Sequence, residues 1–183
     1  MTIADILGCG SATNVTEKDH FYATPSNCVT AFLRDEWRDS PKVIIWEPCA
    51  GAGDISKVLM ANNFPVISTD LVDRGFCESR VDFLMVREKR ANVIITNPPF
   101  KLARQFLAHA FDLGVDYVAF LLPSDFLCCE AAARMNDIYP CTRIHAMTWR
   151  PDFTGQGRPS MKCSWFVWVR GAPGTRFLLM RRP

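Results

Sequence analysis

Asn97-Pro98-Pro99-Phe100 closes an apolar run, Ala91 to Thr96, and sets an amide, a stiff turn and an aromatic ring side by side. The two prolines hold φ at about −65° and carry no N–H, so the carbonyls of Asn97 and Pro98 remain as acceptors in a rigid turn. An NH2 group held between the Asn97 side-chain oxygen and the Pro98 carbonyl has both hydrogens engaged. Its lone pair then turns out of the ring plane, toward an electrophile. Phe100 can stack on the ring that bears the NH2, as aromatic side chains do with unpaired bases. The chemistry suited to this combination is attack by a planar nitrogen. Taken alone the tetrapeptide also reads as an ordinary strand-to-loop junction, and its context decides between the two.

Upstream, Val43 to Trp46 reads as a short strand running into Glu47-Pro48-Cys49-Ala50-Gly51-Ala52-Gly53, an acid followed by a small-residue turn. Asp54 to Asn62 then reads as a helix with Asp54 as its cap. Glycines in such a turn let backbone approach a ligand closely, and NAD, FAD and nucleoside cofactors all use one. The dinucleotide fingerprint asks for a further glycine where Ser56 stands, and no Gly-Lys-Ser/Thr follows, which turns the reading away from dinucleotides and nucleoside triphosphates. Phe64 to Asp70 is a second strand ending in an acid, so Asp70 is placed to accept from both hydroxyls of a ribose. Val81-Asp82-Phe83-Leu84 pairs a carboxylate with an aromatic, a pair that can receive an adenine amino group and pack on its ring. A helix cap is the other reading of Asp82.

Together these segments resemble the class I S-adenosylmethionine-dependent amino-methyltransferases, specifically the small phage and prophage enzymes that methylate adenine N6 in DNA. Glu47, Pro48, Cys49, Ala50, Gly51 and Gly53 are similar to the family's cofactor loop, and Asp70, followed by Leu71, to its ribose acid. Asp82-Phe83 resembles its adenine-contacting pair, and Asn97-Pro98-Pro99-Phe100 its catalytic motif, with Asn97 also facing the cofactor. Asp19-His20-Phe21-Tyr22-Ala23-Thr24-Pro25 resembles the segment against the methionine end of the cofactor, which assigns Phe21, Tyr22, Thr24 and Pro25 to cofactor binding. Ser164 to Trp168 resembles a late motif of the small members. The resemblance implies S-adenosyl-L-methionine as cofactor, DNA adenine as acceptor and a Rossmann-like fold. An RNA adenine methyltransferase, a protein glutamine methyltransferase and a non-catalytic cofactor-binding subunit are the alternatives. Cys49 departs from the glycine that many members have there. DNA-reading members usually carry a separate recognition domain, for which 183 residues leave no room, so a loose or very short target preference is expected.

These segments need a scaffold, and the length suits one domain over residues 1–183 with one sizeable core. Residues 1–18 read as a flexible lead-in, and residues 148–163, with Gly155, Gly157 and two prolines, as a mobile loop on the substrate side. Further strands read at Tyr117 to Leu122, Thr142 to Met147, Trp165 to Arg170 and Arg176 to Met180. Amphipathic helices read around Ala103 to Phe111 and Ala131 to Ile138. Strand–helix alternation ending in strands predicts an α/β fold: a seven-stranded, mostly parallel sheet with a C-terminal antiparallel hairpin.

Net charge is +2, but residues 141–183 hold seven Arg and one Lys against Asp152 alone, leaving −5 for residues 1–140. A basic end interleaved with Trp149, Phe153 and Trp165 suits nucleic acid, and Lys101, Arg143, Arg150, Arg158, Lys162 and Trp165 are its candidate contacts. A solvated basic face is the other reading of any single arginine. The eight cysteines sit mostly within apolar segments, with Cys128-Cys129 reading as a buried helix start. No paired CxxC exists, the three histidines are scattered, and no apolar run reaches about 18 residues. A cytoplasmic protein with no metal and no membrane partner is expected, its partner being nucleic acid, DNA ahead of RNA.

Overall fold

The computed structural model describes residues 23–183 apart from Asp39 and Pro173. The expected lead-in over residues 1–18 and the candidates Phe21 and Tyr22 lie outside the described residues.

In chain order the elements are α1 (Ser26–Glu36), β1 (Ile45–Glu47), α2 (Asp54–Ala61), β2 (Val66–Ser68), β3 (Val93–Thr96), α3 (Ala103–Asp112), β4 (Tyr117–Pro123), α4 (Glu130–Ile138), β5 (Arg143–Met147), β6 (Cys163–Val169) and β7 (Arg176–Met180). Short 3-10 turns occupy Phe83–Met85 and Phe100–Leu102. The strands form one sheet in the order β2-β1-β3-β4-β6-β5-β7. Each strand alternates its side chains between two covered faces. Ile45, Ile95, Leu121, Trp165 and Val167 pack under α1 and α2 with Phe32 and Leu59. Trp46, Ile94, Phe120, Phe166 and Trp168 pack under α3 and α4 with Phe106 and Met135. Full burial of a side chain of this kind is worth about 2 kcal/mol, so both faces are strongly determined.

The fold is the α/β class expected, with seven strands of which only β6 runs against the rest. The antiparallel pair expected near the C-terminus is β5 with β6, and the last strand lies outside it. β6 is wedged between β4 and β5, while β7 passes β6 by and pairs in parallel with β5 at the sheet edge. The reason is burial: Cys163 to Trp168 is buried residue after residue, so it needs cover on both faces and strands on both sides. In β7, Phe177 and Leu179 remain 65% and 70% exposed, which an edge tolerates.

Two local readings also change, and one helix is added. Gly53, in the left-handed region at φ 85°, is the cap of α2, and Asp54 is its first helical residue. Cys128 and Cys129 are exposed, since the turn before α4 lies outside both cores. Helix α1, absent from the elements expected, carries no side-chain cap and buries Cys28, Val29, Phe32 and Leu33 along one face.

Candidate active site at the tips of β1, β2 and β3

Strand order reverses at β1, which lies parallel between β2 and β3, so their carboxyl ends open onto one crevice. Open α/β sheets bind ligands at such switch points. The glycine turn leaves β1 here and is stitched to the tip of β2 by Thr69 N–H donating to Glu47 O at 2.9 Å and Ala50 N–H to Thr69 O at 3.0 Å. Asp70 forms the lip: its Oδ2 accepts from Gly51 N–H at 2.7 Å and its Oδ1 from Val72 N–H at 2.8 Å. A carboxylate has about four lone-pair sites, so both oxygens retain capacity for a ligand.

Glu47, 1% exposed, lies beneath the turn and accepts from Ser56 Oγ, which also meets Ser68 Oγ at 2.6 Å. Burial pushes its carboxyl well above the ordinary value, against the Ser56 bonds, and Asp54 and Asp70 push it further. Cys49 is raised in the same way, by burial first and then by Asp70, Glu47 and Asp82. Asp54, Asp70 and Asp82 give the turn an acidic setting. It favours a cation and repels the pyrophosphate of a dinucleotide. Pro48, Ala50, Gly51 and Gly53 are buried in the turn. The Phe76 ring covers Gly53 so closely that a Cβ there would sit 2.4 Å from its Cζ, which explains the glycine sterically as well as through its φ.

Asp82 is exposed, and its Oδ1 accepts from Leu84 N–H at 3.0 Å, so both the cap and the ligand-facing readings are compatible with its position. Phe83 is core. At 2% exposure its ring meets Trp46 at 5.1 Å and Phe106 at 4.7 Å, and no face of it is left for an adenine. Leu71 beside Asp70 and Met85 beside Phe83 are instead the exposed apolar side chains nearby, at 60% and 74%.

At the tip of β3, Pro98 is buried while Asn97, Pro99 and Phe100 are half-buried. Pro99 O accepts from Leu102 N–H at 2.8 Å, folding the turn back into α3. Asn97 Nδ2 donates to Thr24 Oγ1 at 3.2 Å, joining the two motifs that flank the crevice. Pro25 caps α1 directly after Thr24.

The basic candidates separate. Lys101, Arg150, Arg158 and Lys162 are exposed along the rim of the crevice and the loop that follows β5. That loop is built around Asp152, whose carboxylate accepts from Gly157 N–H at 2.6 Å and Thr154 Oγ1 at 3.0 Å. Arg143 is consumed by Glu36, with its Nε 2.8 Å from Oε1. Burial pushes the Glu36 carboxyl up, but the bonds from His145 and Arg143 outweigh it and hold it below the ordinary value. Trp165 is fully buried, stacked on Phe32 at 4.5 Å and donating to Cys28 O at 3.1 Å, so it belongs to no surface. Sequence reasoning missed the Ser56–Glu47 bond and the Phe76 cover, both of which join residues without a shared motif. Among the described residues no group of His, Cys, Asp and Glu could hold a metal ion, and no helix is long and apolar enough to cross a membrane.

No family model and no curated protein matches the chain by sequence. Solved structures do match it. A candidate RNA methyltransferase from Pyrococcus horikoshii superposes over 90% of this chain and 94% of its own, with TM-score 0.63 at 16% identity. A candidate class I S-adenosylmethionine-dependent methyltransferase from Listeria monocytogenes matches over 92% of this chain and 68% of its own, with TM-score 0.63 at 14% identity. The fold is that of a class I methyltransferase. The methyltransferase subunit of a type I restriction-modification system from Streptococcus thermophilus shares it with TM-score 0.63 at 13% identity, over 89% of this chain and 48% of that one. In this strand order the acid-lipped glycine turn and the Asn-Pro-Pro-Phe turn leave neighbouring strands at their carboxyl ends.

Proposed function

We propose that this protein is an S-adenosylmethionine-dependent methyltransferase that places a methyl group on adenine N6 in DNA. The observation that carries the reading is the adjacency of two strand tips: the acidic glycine turn after β1 and Asn97-Pro98-Pro99-Phe100 after the neighbouring β3. The residues fit the cofactor. Gly51 allows close approach, Asp70 offers acceptors at the lip, Leu71 is an apolar cover, and the surrounding carboxylates suit a positive charge. When bound, S-adenosylmethionine supplies a methyl made electrophilic by its sulfonium.

The chain's own part is positioning and exclusion of water. Asn97 Oδ1 and the Pro98 carbonyl accept the two amino hydrogens of the base, and the Phe100 ring packs on its face. No strong general base is required, because the amino proton becomes acidic only after the methyl has added. In a duplex the base first leaves the stack, at a cost of about a few kcal/mol. Exposed Lys101, Arg150, Arg158 and Lys162 serve the phosphates on either side. The resemblance to small adenine-N6 enzymes and the likeness to a restriction-modification methyltransferase subunit support DNA as the polymer. The likeness to a candidate RNA methyltransferase supports RNA as the second reading.

The test is incubation with S-adenosylmethionine and separate pools of duplex DNA, single-stranded DNA and RNA, followed by digestion and mass spectrometry for N6-methyladenine. Product in a DNA pool that vanishes with Asn97→Ala is expected. Product in RNA alone moves the assignment to the second reading, and none in any pool overturns both.

A further inference from the structure

Away from the crevice, α1 ends beside an open groove of about 600 Å³ along the β7 edge, lined by Arg34, Asp35, Arg38, His145 and Arg181 among others. Its charge is unbalanced. Arg34 is held by Asp35, with Nε donating to Oδ1 at 2.6 Å, and it reaches across to the Arg181 carbonyl at 2.9 Å. The Arg38 and Arg181 guanidiniums are exposed and form no ion pair among the described residues. Glu36 adds no free negative charge, since Arg143, His145 and Tyr117 all bond to its carboxylate. The His145 ring is 1% exposed, with Nε2 2.9 Å from Glu36 Oε2. Its Nδ1 has no hydrogen-bond partner among the described residues. A buried polar atom of this kind is normally completed by an ordered water.

We infer that the groove holds backbone phosphates of the nucleic-acid substrate to one side of the target base, an inference that rests on the proposed nucleic-acid methylation. Helix α1 links the two places. Thr24, which holds Asn97, stands just before it, and Arg34 and Arg38 stand at its far end. Eleven residues of helix span about 16 Å, or about five base steps of a duplex. Arg182 continues the positive charge back along the helix, close enough to Cys28 to oppose the rise that burial imposes on its thiol. A second copy of this chain is a poor occupant, because its own edge arginines would face these.

The test compares the protein with its Arg38→Ala, Arg181→Ala double variant by fluorescence anisotropy, on a labelled duplex of about 30 base pairs and one of about 8, across a salt series. Two lost phosphate contacts lower the slope of log K against log [salt] by about 1.8 on the long duplex, while the short one, which ends before the groove, shows no change. The Arg38→Lys, Arg181→Lys pair restores the slope, which a structural role for the arginines would not predict. An unmoved slope on the long duplex overturns the inference, as does an equal loss on both lengths. If the wild type makes N6-methyladenine with the slope unmoved, the groove alone falls. If it makes none but the slope moves as expected, the methylation reading falls and the groove stays a phosphate site.

Discussion

Asn97 Nδ2 and Thr24 Oγ1 lie 3.2 Å apart, so the tip of β3 is tied to the residues that open α1. Thr24 is buried, which shields the bond from water, and it fixes the amide with its nitrogen toward Thr24. The Asn97 side chain is thus positioned by a residue more than seventy positions earlier in the chain.

Thr24→Val keeps the shape and removes that acceptor. A buried hydrogen bond of this kind is worth about 1 to 1.5 kcal/mol, so single-turnover methylation should slow about tenfold. Cofactor affinity by calorimetry should stay within about twofold of the wild type. A weakened cofactor with normal turnover would return Thr24 to the cofactor contact that the resemblance implies.

The turn after β3 and the glycine turn after β1 were legible in the sequence because proline and glycine act locally: they set φ or open space whatever lies elsewhere. The aromatics were harder to read. Phe83 looks like a ligand platform until Phe106 of α3 covers it, and Trp165, in a segment that reads first as core strand, is closed off from any target pocket by Phe32 of α1; neither partner is close in sequence. Arg143 belonged to a basic run in the sequence and to Glu36 in the fold, a pairing that depends on where α1 docks. For β7 the strand itself could be read, but its partner followed from the burial demand of β6.

Gly53→Ala tests the glycine turn. An L-residue at φ 85° costs about 1–2 kcal/mol, and its Cβ would also meet the Phe76 ring at 2.4 Å. Melting should fall by roughly 3–6 °C. Adding Phe76→Leu should recover the part due to the ring and leave the part due to φ. Full recovery in the double variant would show that the backbone is not strained there.

The Glu47 carboxyl has a raised pKa in the folded protein, so between the ordinary carboxylate value and that raised value the native state binds more protons than the unfolded chain. Stability therefore falls as pH rises through that window, and the penalty is fully present above it. Glu47→Gln removes the charge at nearly the same shape. Melting measured from about pH 4 to 8 should show a flatter profile for the variant, with its relative gain greatest at the upper end. A variant curve parallel to the wild type would mean that Glu47 titrates normally.

Arg143 and Arg158 should separate a structural from a binding role. Arg143 is the cation that offsets Glu36, whose side chain is 9% exposed, and removing one partner of such a pair leaves a poorly solvated charge behind. The guanidinium is 22% exposed, so water moderates the loss, and Arg143→Ala should cost about 2–3 kcal/mol, a fall in melting of roughly 5–10 °C. Nucleic-acid affinity should hold in the surviving folded protein, because Glu36 already neutralises that arginine. Arg158 is exposed in the loop after β5 with no ion pair among the described residues. Arg158→Ala should leave melting within about 1 °C, weaken binding to all sequences alike, and reduce the salt slope by about 0.9. The reverse pattern, with Arg143→Ala weakening binding at unchanged melting, would return Arg143 to the contact surface and show that Glu36 releases it when nucleic acid arrives.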